Sequence, residues 1–349
     1  MDPKLDAWLD DALQRHNRLT QIVTALMQSL LTDRGIDFLT VTGRTKDKGK
    51  VVEKITRKRY KDPHRQLTDL TGVRIIVFFE SQVEQVSALI NEAFNVDLKN
   101  SLNKDAVLSV DQTGYRSVHY VCDLGQTRLA LPEFVGLGGL KFELQVRTLL
   151  QHAWAELAHD RNYKFSGKLP REMERQLYLY AGMLEIADKG FDQLSKDIDQ
   201  YARDLREKAE VGDLTPEIDS ISLPEFIDKW AKDNEINLDP AGDAGANLSS
   251  LVSELRQFGI RDLSALNAII PNDYADRLKQ RKCSTTIYGL VRDSMLIKDW
   301  RRFAETVHFD WMIDAEEDNE ILKDYIPEDD YQNFLSAFSG IPDDDNGDS

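Results

Sequence analysis

A strand that runs directly into a helix, from Lys141 to Lys164, constrains the fold of this chain most strongly. In the segment KFELQVR apolar and polar residues alternate, which is the period of a strand with one buried and one polar face. The polar face would carry Lys141, Glu143, Gln145 and Arg147. Thr148 can cap the helix that follows, and Gln151 can complete a capping box. The mixed charges on the polar face indicate either a structural sheet edge or a site that binds metal and phosphate.

The remaining elements are predicted from hydrophobic periods. The segment Gly72 to Phe79, GVRIIVFF, gives the strongest signal of a buried strand. Shorter strands are predicted over residues 38–41, 107–110, 114–121 and 126–130. Helices are predicted over residues 4–32, 81–94, 169–209, 223–234, 248–258, 263–269, 273–282 and 286–307. This order predicts an α+β domain, a mixed sheet flanked by helices, followed by a mainly α-helical acidic C-terminal region.

Charge divides the chain into two parts. From Asp213 onwards it has 30 acidic and 13 basic residues, whereas residues 1–212 have 31 of each, so the second part carries the whole net charge of -17. We predict one domain over residues 1–212, a helical regulatory or interaction region over 213–313, and a disordered or loosely docked acidic tail over 314–349. The negative second part argues against a general nucleic-acid binder, since a phosphate backbone would be repelled.

The sequence also predicts the cellular setting. No apolar run reaches the ~18 to 20 residues that span a bilayer, and the first helix is amphipathic rather than a signal peptide. Cys122 and Cys283 are far apart and form no metal-ligand pattern. We therefore expect a cytoplasmic protein without a membrane partner.

Polar side chains at strand spacing gather on three predicted strands. They are Asp69, Arg74, Tyr115, Ser117, His119, Glu143, Gln145 and Arg147. If Asp69 and Glu143 meet across the sheet, they can hold Mg²⁺, which takes one or two carboxylates together with phosphate oxygens. Tyr115 can stack on a base. Singly, an acidic pair is usually part of a surface salt bridge and a tyrosine usually belongs to the core, but together these residues favour a nucleotide-phosphate site.

A basic segment follows Gly43. Its cations are Arg44, Lys46, Lys48, Lys50, Lys54, Arg57, Lys58, Arg59 and Lys61. A run of charge is usually a solvated face, but Val51, Val52 and Ile55 give this segment an apolar side, which predicts a helix that holds cations against another element. Arginine can bind a phosphate bidentately, and lysine acts as a point charge.

Four motifs in register resemble the synthetase domain of the RelA/SpoT family. They are VTGRTK (residues 41–46), DLTGVRI (69–75), GYRSVH (114–119), and FELQVRT with HAWAELAHDRNYK (142–164). The resemblance spans about residues 4–205. It implies a nucleotidyltransferase-like fold and a GTP diphosphokinase that makes the alarmones pppGpp and ppGpp. Pyrophosphate would pass from ATP to the 3′-hydroxyl of GDP or GTP, AMP would leave, and Mg²⁺ would be the cofactor.

The resemblance also implies residue roles. The ATP-binding residues would be Arg44, Lys46, Lys54, Arg57, Arg59 and Arg74. The acceptor-binding residues would be Tyr115, Ser117, His119, Gln145 and Arg147. Asp69 and Glu143 would be catalytic and would bind the metal, with Glu143 also a candidate general base for the acceptor hydroxyl.

The sequence departs from the family pattern at two places. Lys50 stands where the family often has Ser, and residues 111–113 replace a Pro-Lys pair ahead of Gly114. The second departure favours an altered acceptor choice over loss of all activity. His159-Asp160 is the one His-Asp pair and lies within the synthetase motif, so the sequence predicts synthesis without an HD hydrolase.

Alternatives stay open for the second part and for the activity. The second part, which resembles neither TGS nor ACT modules, is either a homo-oligomerisation or interaction unit, or an autoinhibitory unit that covers the ATP site. In the second case a trigger protein acting on this part would release it. Some family members resemble this plan, with a toxic synthetase held by a fused or separate antitoxin, sometimes in phage defence. The activity alternatives are a toxin that pyrophosphorylates ADP, ATP or the 3′ end of tRNA, and a catalytically inactive nucleotide-binding regulator.

Overall fold

The computed structural model describes residues 3–103, 117–164, 170–239, 247–309, 311, 313 and 321–338, without the side chains of 102–103 and 158–164. The chain forms two compact units, Met1–Lys196 and Asp197–Ser349. The division between them falls inside a long helix, α7 (Arg171–Glu210), whereas the boundary predicted from the sequence follows the end of that helix.

A six-stranded mixed sheet is the centre of the first unit. Its strands are β1 (Thr40–Thr45), β2 (Thr71–Val77), β3 (Asn95–Val96), β4 (Leu102–Asn103), β5 (Val118–Asp123) and β6 (Phe142–Thr148). The strand order is β1-β2-β6-β5-β3, and β4 also pairs with β5. β2 and β6 run parallel, and the other pairs are antiparallel. The predicted α+β class with a mixed sheet is confirmed.

In the part of the chain that the structure describes, six helices precede α7. They are α1 (Pro3–Asp33), α2 (Lys48–Lys58), α3 (Pro63–Gln66), α4 (Glu80–Ala93), α5 (Gly125–Leu129) and α6 (Leu149–Lys164), with a 3₁₀ turn at Pro132–Phe134. The predicted amphipathic helix α1 is confirmed. Its apolar stripe, Leu19, Val23, Met27 and Leu31, is fully buried in the same core as the inner face of the sheet.

The strand and capping box of the opening motif are both confirmed. Phe142, Leu144 and Val146 are fully buried, and the residues between them are half-buried. The Thr148 backbone N–H donates to Oε1 of Gln151, and the Gln151 backbone N–H donates to Oγ1 of Thr148, each at 3.1 Å. Helix α6, which follows β6 directly, therefore starts at a defined residue.

Strand β1 lies against α1 at Gly43. A Cβ atom on Gly43 would lie 2.1 Å from Oγ1 of Thr24 and 2.8 Å from Cγ2 of Thr20, so only glycine fits. On the same side, Oγ1 of Thr20 lies 2.8 Å from Oγ1 of Thr45 and donates to Oγ1 of Thr71 at 3.1 Å. These contacts fix β1 and β2 to α1.

Two strand predictions are corrected. The strand predicted over 38–41 is found at Thr40–Thr45, so Arg44 lies in a strand and the basic helix begins only at Lys48. Pairing with β2 from Thr40↔Ile76 to Thr45↔Thr71 explains the extension, since every residue of β1 gains a ladder partner.

The strand predicted over 126–130 is wrong, because residues Gly125–Leu129 form the short helix α5. Gly125 begins the turn with a φ of 72°, and its N–H donates to Oδ1 of Asp123 at 2.9 Å. The guanidinium of Arg128 then lies over the ring of Phe94. The strand predicted over 107–110 and the first residues of the strand predicted over 114–121 lie outside the described residues; the described part of the latter is β5.

Short helices pack around one apolar core in the second unit. Besides the end of α7, they are α8 (Ser222–Asp233), α9 (Leu248–Phe258), α10 (Leu263–Asn267), α11 (Tyr274–Arg281), α12 (Ile287–Thr306) and α13 (Glu328–Phe338), with a 3₁₀ turn at Leu322–Asp324. The predicted helices are confirmed to within about two residues at each end. Among the described residues, no helix is long and apolar enough to cross a membrane.

The prediction of a loose acidic tail is wrong for residues 321–338. Phe334 and Phe338 are fully buried, and Leu322 is 2% exposed, all within the core of the second unit. The many acids obscured an apolar period in α13, whose buried residues are Tyr331, Phe334 and Phe338. Burying these rings outweighs the solvation of the surrounding charges.

Candidate active site

A polar cleft lies on the outer face of the sheet, over β1, β2 and β6. Its lining residues are Thr42, Gly43, Arg44, Lys46, Asp69, Gly72, Val73, Arg74, Glu143 and Gln145. The register brings them together, because Arg44 pairs with Gly72 and Gly72 pairs with Glu143 across three neighbouring strands. Gly72 has no side chain, so the floor between the arginine and the glutamate stays open.

Asp69 is the most strongly held anion of the cleft. Lys46 and Lys54 each donate from Nζ to its Oδ2 at 2.6 Å. Burial opposes the charge of Asp69, but the two lysine hydrogen bonds outweigh it, and the pKa of Asp69 lies below its ordinary value. The three side chains are each 20% exposed and together carry one excess positive charge, which suits an anionic ligand.

The second carboxylate oxygen of Asp69, Oδ1, differs from Oδ2 in its surroundings. Oδ1 is buried and finds no hydrogen-bond partner among the described residues. A buried carboxylate oxygen without a partner costs free energy unless a cation or water binds it. Oδ1 is therefore the atom of this cleft most suited to a metal ion.

Glu143 is held from two sides. Its Oε1 lies 2.6 Å from Nδ1 of His119, and Nε2 of Gln145 donates to its Oε2 at 3.3 Å. Burial opposes its charge, but the hydrogen bond from His119 outweighs burial and places the pKa of Glu143 below its ordinary value. At neutral pH Glu143 is thus an ionised carboxylate that faces the same cleft as Asp69.

Asp69 and Glu143 supply two carboxylates, which is within the one or two that a magnesium ion takes from protein in a nucleotide site. Asp69 and Glu143 are close enough for the charge of Asp69 to act on the pKa of Glu143. Among the described residues, no group of three or more His, Cys, Asp or Glu side chains could hold a metal. A hard cation here would complete its coordination with water and phosphate oxygens, as Mg²⁺ does in nucleotide sites.

Arg74 contacts helix α6, whereas Arg147 contacts a residue of its own strand, β6. Nη1 of Arg74 donates to Oε1 of Glu156 at 2.9 Å, and Nη2 of Arg147 donates to Oε1 of Gln145 at 3.3 Å. Burial, together with the nearby charge of Arg74, lowers the pKa of Arg147, whose Nε is buried without a partner among the described residues. Arg74 thus places a cation in the cleft, and Arg147 lies close enough to feel its charge without lining the described part of the cleft.

Sequence reasoning gave no role to Glu156 or to His152. His152 lies on the same helix face, with Nδ1 3.7 Å from Oε1 of Glu156. The i, i+4 spacing of the two residues on a helix that leaves the polar strand was the available signal. This spacing could not show that Arg74 pairs with Glu156, since the two residues are 82 positions apart in sequence.

The remaining predicted site residues are less closely grouped. Arg57 and Arg59 are exposed on α2 and at its end, and neither lines the described part of the cleft. Arg59 caps α2 in the left-handed conformation, with a φ of 52°. Ser117 and His119 lie on β5 or beside it, next to Glu143. Tyr115 lies outside the described residues.

Residues 43–168 match a family model described as a region found in RelA / SpoT proteins. This chain contains a RelA/SpoT-family domain. The domain extends from Gly43 in β1 past the end of α6, so it includes every residue that lines the cleft except Thr42. The second unit, Asp197–Ser349, lies beyond the matched range.

Curated relatives of the RelA/SpoT domain come from Bacillus subtilis (strain 168). GTP pyrophosphokinase YwaC is 28% identical over 160 residues, which are 45% of this chain and 73% of that protein. GTP pyrophosphokinase YjbM is 28% identical over 138 residues, which are 39% of this chain and 62% of that protein.

Solved structures are similar to a little more than half of the chain. The small alarmone synthetase 1 from Bacillus subtilis has a TM-score of 0.47 and 23% identity, covering 56% of this chain and 99% of its own. A GTP pyrophosphokinase family protein from Streptococcus pneumoniae has a TM-score of 0.46 and 24% identity, covering 58% of this chain and 97% of its own.

Proposed function

We propose that this protein is an alarmone synthetase that transfers pyrophosphate from ATP to the 3′-hydroxyl of GTP or GDP. One observation carries the proposal. Asp69, which has a buried oxygen without a partner among the described residues, shares with Glu143 a cleft that is lined by Arg44, Lys46 and Arg74. The RelA/SpoT match covers this cleft, and the curated relatives are named GTP pyrophosphokinases.

The cations at one end of the cleft suit the triphosphate of ATP. Lys46 and Lys54 each donate one N–H to Asp69, so each ammonium group has two further donors for phosphate oxygens. Arg44 is exposed on β1 and can bind a phosphate bidentately. Arg57 and Arg59 lie further along the basic helix, where we assign them to the outer part of the ATP site.

Asp69 and Glu143 would hold Mg²⁺, which supplies charge neutralisation for the phosphate oxygens. Oδ1 of Asp69 is available for this, whereas Oδ2 is already bound by two lysines. Glu143 keeps lone pairs on both oxygens despite its bonds to His119 and Gln145.

The transfer step requires a base beside the acceptor hydroxyl. Glu143, ionised at neutral pH, takes the proton of the 3′-hydroxyl as the 3′-oxygen bonds to the β-phosphorus of ATP. The bond from that phosphorus to the oxygen bridging the α- and β-phosphates breaks, and AMP leaves with the electron pair. Tyr115, Gln145 and Arg147 are assigned to the acceptor nucleotide.

A labelling experiment tests the proposal. The full-length protein is incubated with Mg²⁺ and β-labelled ATP, with GDP, GTP, ADP, ATP and tRNA offered in parallel. We expect label on GDP or GTP, and a loss of about 100-fold or more in Glu143→Gln, consistent with removal of a positioned base. Glu84→Gln, an exposed change on α4, is the matched control. Binding of nucleotide without any transfer would instead indicate an inactive regulator.

A second candidate function differs in the acceptor. The family match ends at residue 168, and the second part of the chain carries the whole net charge of -17, which favours a regulated, toxic synthetase. Label on ADP, ATP or the 3′ end of tRNA would support it. Its restraint by the second part is tested with full-length Phe334→Ala, which removes a fully buried ring there. A higher transfer rate is expected under restraint, and an unchanged rate contradicts it.

A further inference from the structure

The side chains of Ser117, just before β5, of His119 on β5 and of Glu143 on β6 form a continuous hydrogen-bond chain that ends at the proposed base. Oγ of Ser117 lies 2.6 Å from Nε2 of His119, and Nδ1 of His119 lies 2.6 Å from Oε1 of Glu143. Gln145 adds a longer bond to the other carboxylate oxygen. The carboxylate is therefore held by neighbours that reach it from within the sheet.

Both ring nitrogens of His119 are occupied in this arrangement. A carboxylate only accepts, so Nδ1 carries a hydrogen and donates to Glu143. Nε2 then either accepts from the Ser117 hydroxyl or donates to it, according to the charge of the ring. In both cases the geometry leaves His119 no nitrogen with which to bind a phosphate.

Burial and strand register keep this chain in place. Ser117 is 7% exposed, and the side chains of His119 and Glu143 are 13% and 19% exposed. His119 pairs with Gln145 across the two strands, while the neighbouring pair, Val118↔Val146, faces the core. A slip of β5 by one residue would turn buried valine outward, so the register is strongly determined.

We propose that His119 is a positioning residue for Glu143 and does not bind the acceptor phosphates. By occupying Oε1 from the side of β5, it fixes the carboxylate in one rotamer, with its remaining lone pairs directed at the cleft. Ser117 fixes the imidazole in turn. This inference rests on the proposed function, because it explains how the base of that reaction is oriented.

Substitutions at His119 separate positioning from ligand binding. Asn can present an amide N–H close to the place of imidazole Nδ1, whereas Leu has the bulk without the donor. In full-length protein we expect His119→Leu to lower kcat about 10- to 100-fold, the range for losing an orienting partner, with the acceptor KM nearly unchanged. His119→Asn should recover most of kcat, and Ser117→Ala should have the smaller effect.

The controls make the result decisive. His308→Ala removes an exposed histidine of the second unit and should leave kcat unchanged. An increase in the acceptor KM at constant kcat in both His119 variants would assign His119 to the acceptor and overturn the proposal. Equal loss of kcat in His119→Leu and His119→Asn would also overturn it.

A spectroscopic measurement tests the hydrogen bond without any turnover. In protein with ¹⁵N-labelled histidine, we expect a strongly deshielded Nδ1 proton that is absent in His119→Asn and shifts in Glu143→Gln. Failure of the wild-type chain to transfer label refutes the proposed function. The spectrum still tests the hydrogen bond between His119 and Glu143, because it requires no turnover. Absence of the signal in the wild-type chain refutes the bond.

Discussion

Nδ1 of His16 lies 3.0 Å from Oγ1 of Thr71, although 55 residues separate them in sequence. The hydroxyl of Thr71 also contacts the backbone oxygen of His16 at 3.1 Å. The pair joins α1 to the first residue of β2, two residues after Asp69. A buried histidine therefore supports the strand that begins beside Asp69, the carboxylate proposed to bind the metal.

This histidine predicts a pH dependence of stability. Burial, and to a lesser degree Arg15, lowers the pKa of His16 from 6.5 to about 4. The unfolded chain binds the proton more readily, so the stabilisation is complete above pH 6.5 and is lost as the pH falls toward 4. We expect this titration of His16 to lower the free energy of unfolding by about 3 kcal/mol between a pH above 6.5 and a pH below 4.

The measurement is urea unfolding at pH 7.5, 6 and 5. His16→Gln should be less stable than the wild type at pH 7.5, and its stability should change less with pH. The exposed His308 provides the matched control, since His308→Ala should keep the wild-type slope. An identical pH slope in His16→Gln would contradict the assignment.

Gly43→Ala is expected to displace β1 from α1. The added methyl would lie 2.1 Å from Oγ1 of Thr24, so the strand must shift and move Arg44 with it. Overpacking of this kind costs about 1–3 kcal/mol, and the KM for ATP should rise. Gly138→Ala, where a Cβ meets no atom within 4 Å, is the matched control for thermal unfolding and kinetics. Equal behaviour of the two variants would show that β1 tolerates the methyl group.

Asp69→Asn should reduce both the rate of transfer and the stabilisation of the protein by Mg²⁺. It removes the carboxylate that binds Lys46 and Lys54 and leaves those cations facing each other. We expect transfer to fall by about 100-fold or more, as for loss of a charged group in phosphoryl transfer. Stabilisation of the protein by Mg²⁺ with a non-hydrolysable ATP analogue should also decrease. The exposed substitution Asp37→Asn should retain both properties.

Glu156→Gln should affect substrate binding more than stability. The ion pair of Glu156 with Arg74 is partly exposed, at 58% and 30%, so its contribution to folding is at most about 1 kcal/mol. Without its partner, Arg74 is no longer held at the cleft, and the KM for a nucleotide should rise several-fold. Glu185→Gln breaks a similarly exposed pair with Lys189 and is the control. Unchanged KM values would show that Glu156 does not orient Arg74.

Phe334→Ala should destabilise the second unit. The ring is fully buried, with the ring of Trp300 edge-on at 5.9 Å. Removing a buried phenyl group costs about 3–5 kcal/mol, which tryptophan fluorescence during thermal unfolding can detect. Gln332→Ala, on the same helix, is the matched control because its side chain is polar and exposed. Equal melting of both variants would contradict the packing of α13.

The elements with a strong hydrophobic period were predictable. The alternation around Phe142, Leu144 and Val146 gave β6, and its polar residues Glu143 and Gln145 do line the cleft. The capping box between Thr148 and Gln151 was also predictable, since both partners lie within one turn. Short segments such as α5 were not predictable, because a helix of five residues is too short to show a hydrophobic period.

The pairings within the site were not predictable from these patterns. Lys46 and Lys54 were expected to bind phosphate, but their common attachment to Asp69 depends on where the end of β1 and helix α2 lie beside the start of β2. The same holds for the contact of His119 with Glu143, which are diagonal neighbours only in the observed register of β5 and β6.

The sequence by itself determined the α+β class, the polar face of β6 and the set of charged side chains, because each follows from local periods and residue chemistry. Tertiary structure alone decided which charges meet and which buried atoms lack a partner within the described ranges, such as Oδ1 of Asp69. It also decided that α13 is packed despite its acids. These outcomes depend on strand register and on desolvation, which arise only when segments distant in sequence come into contact.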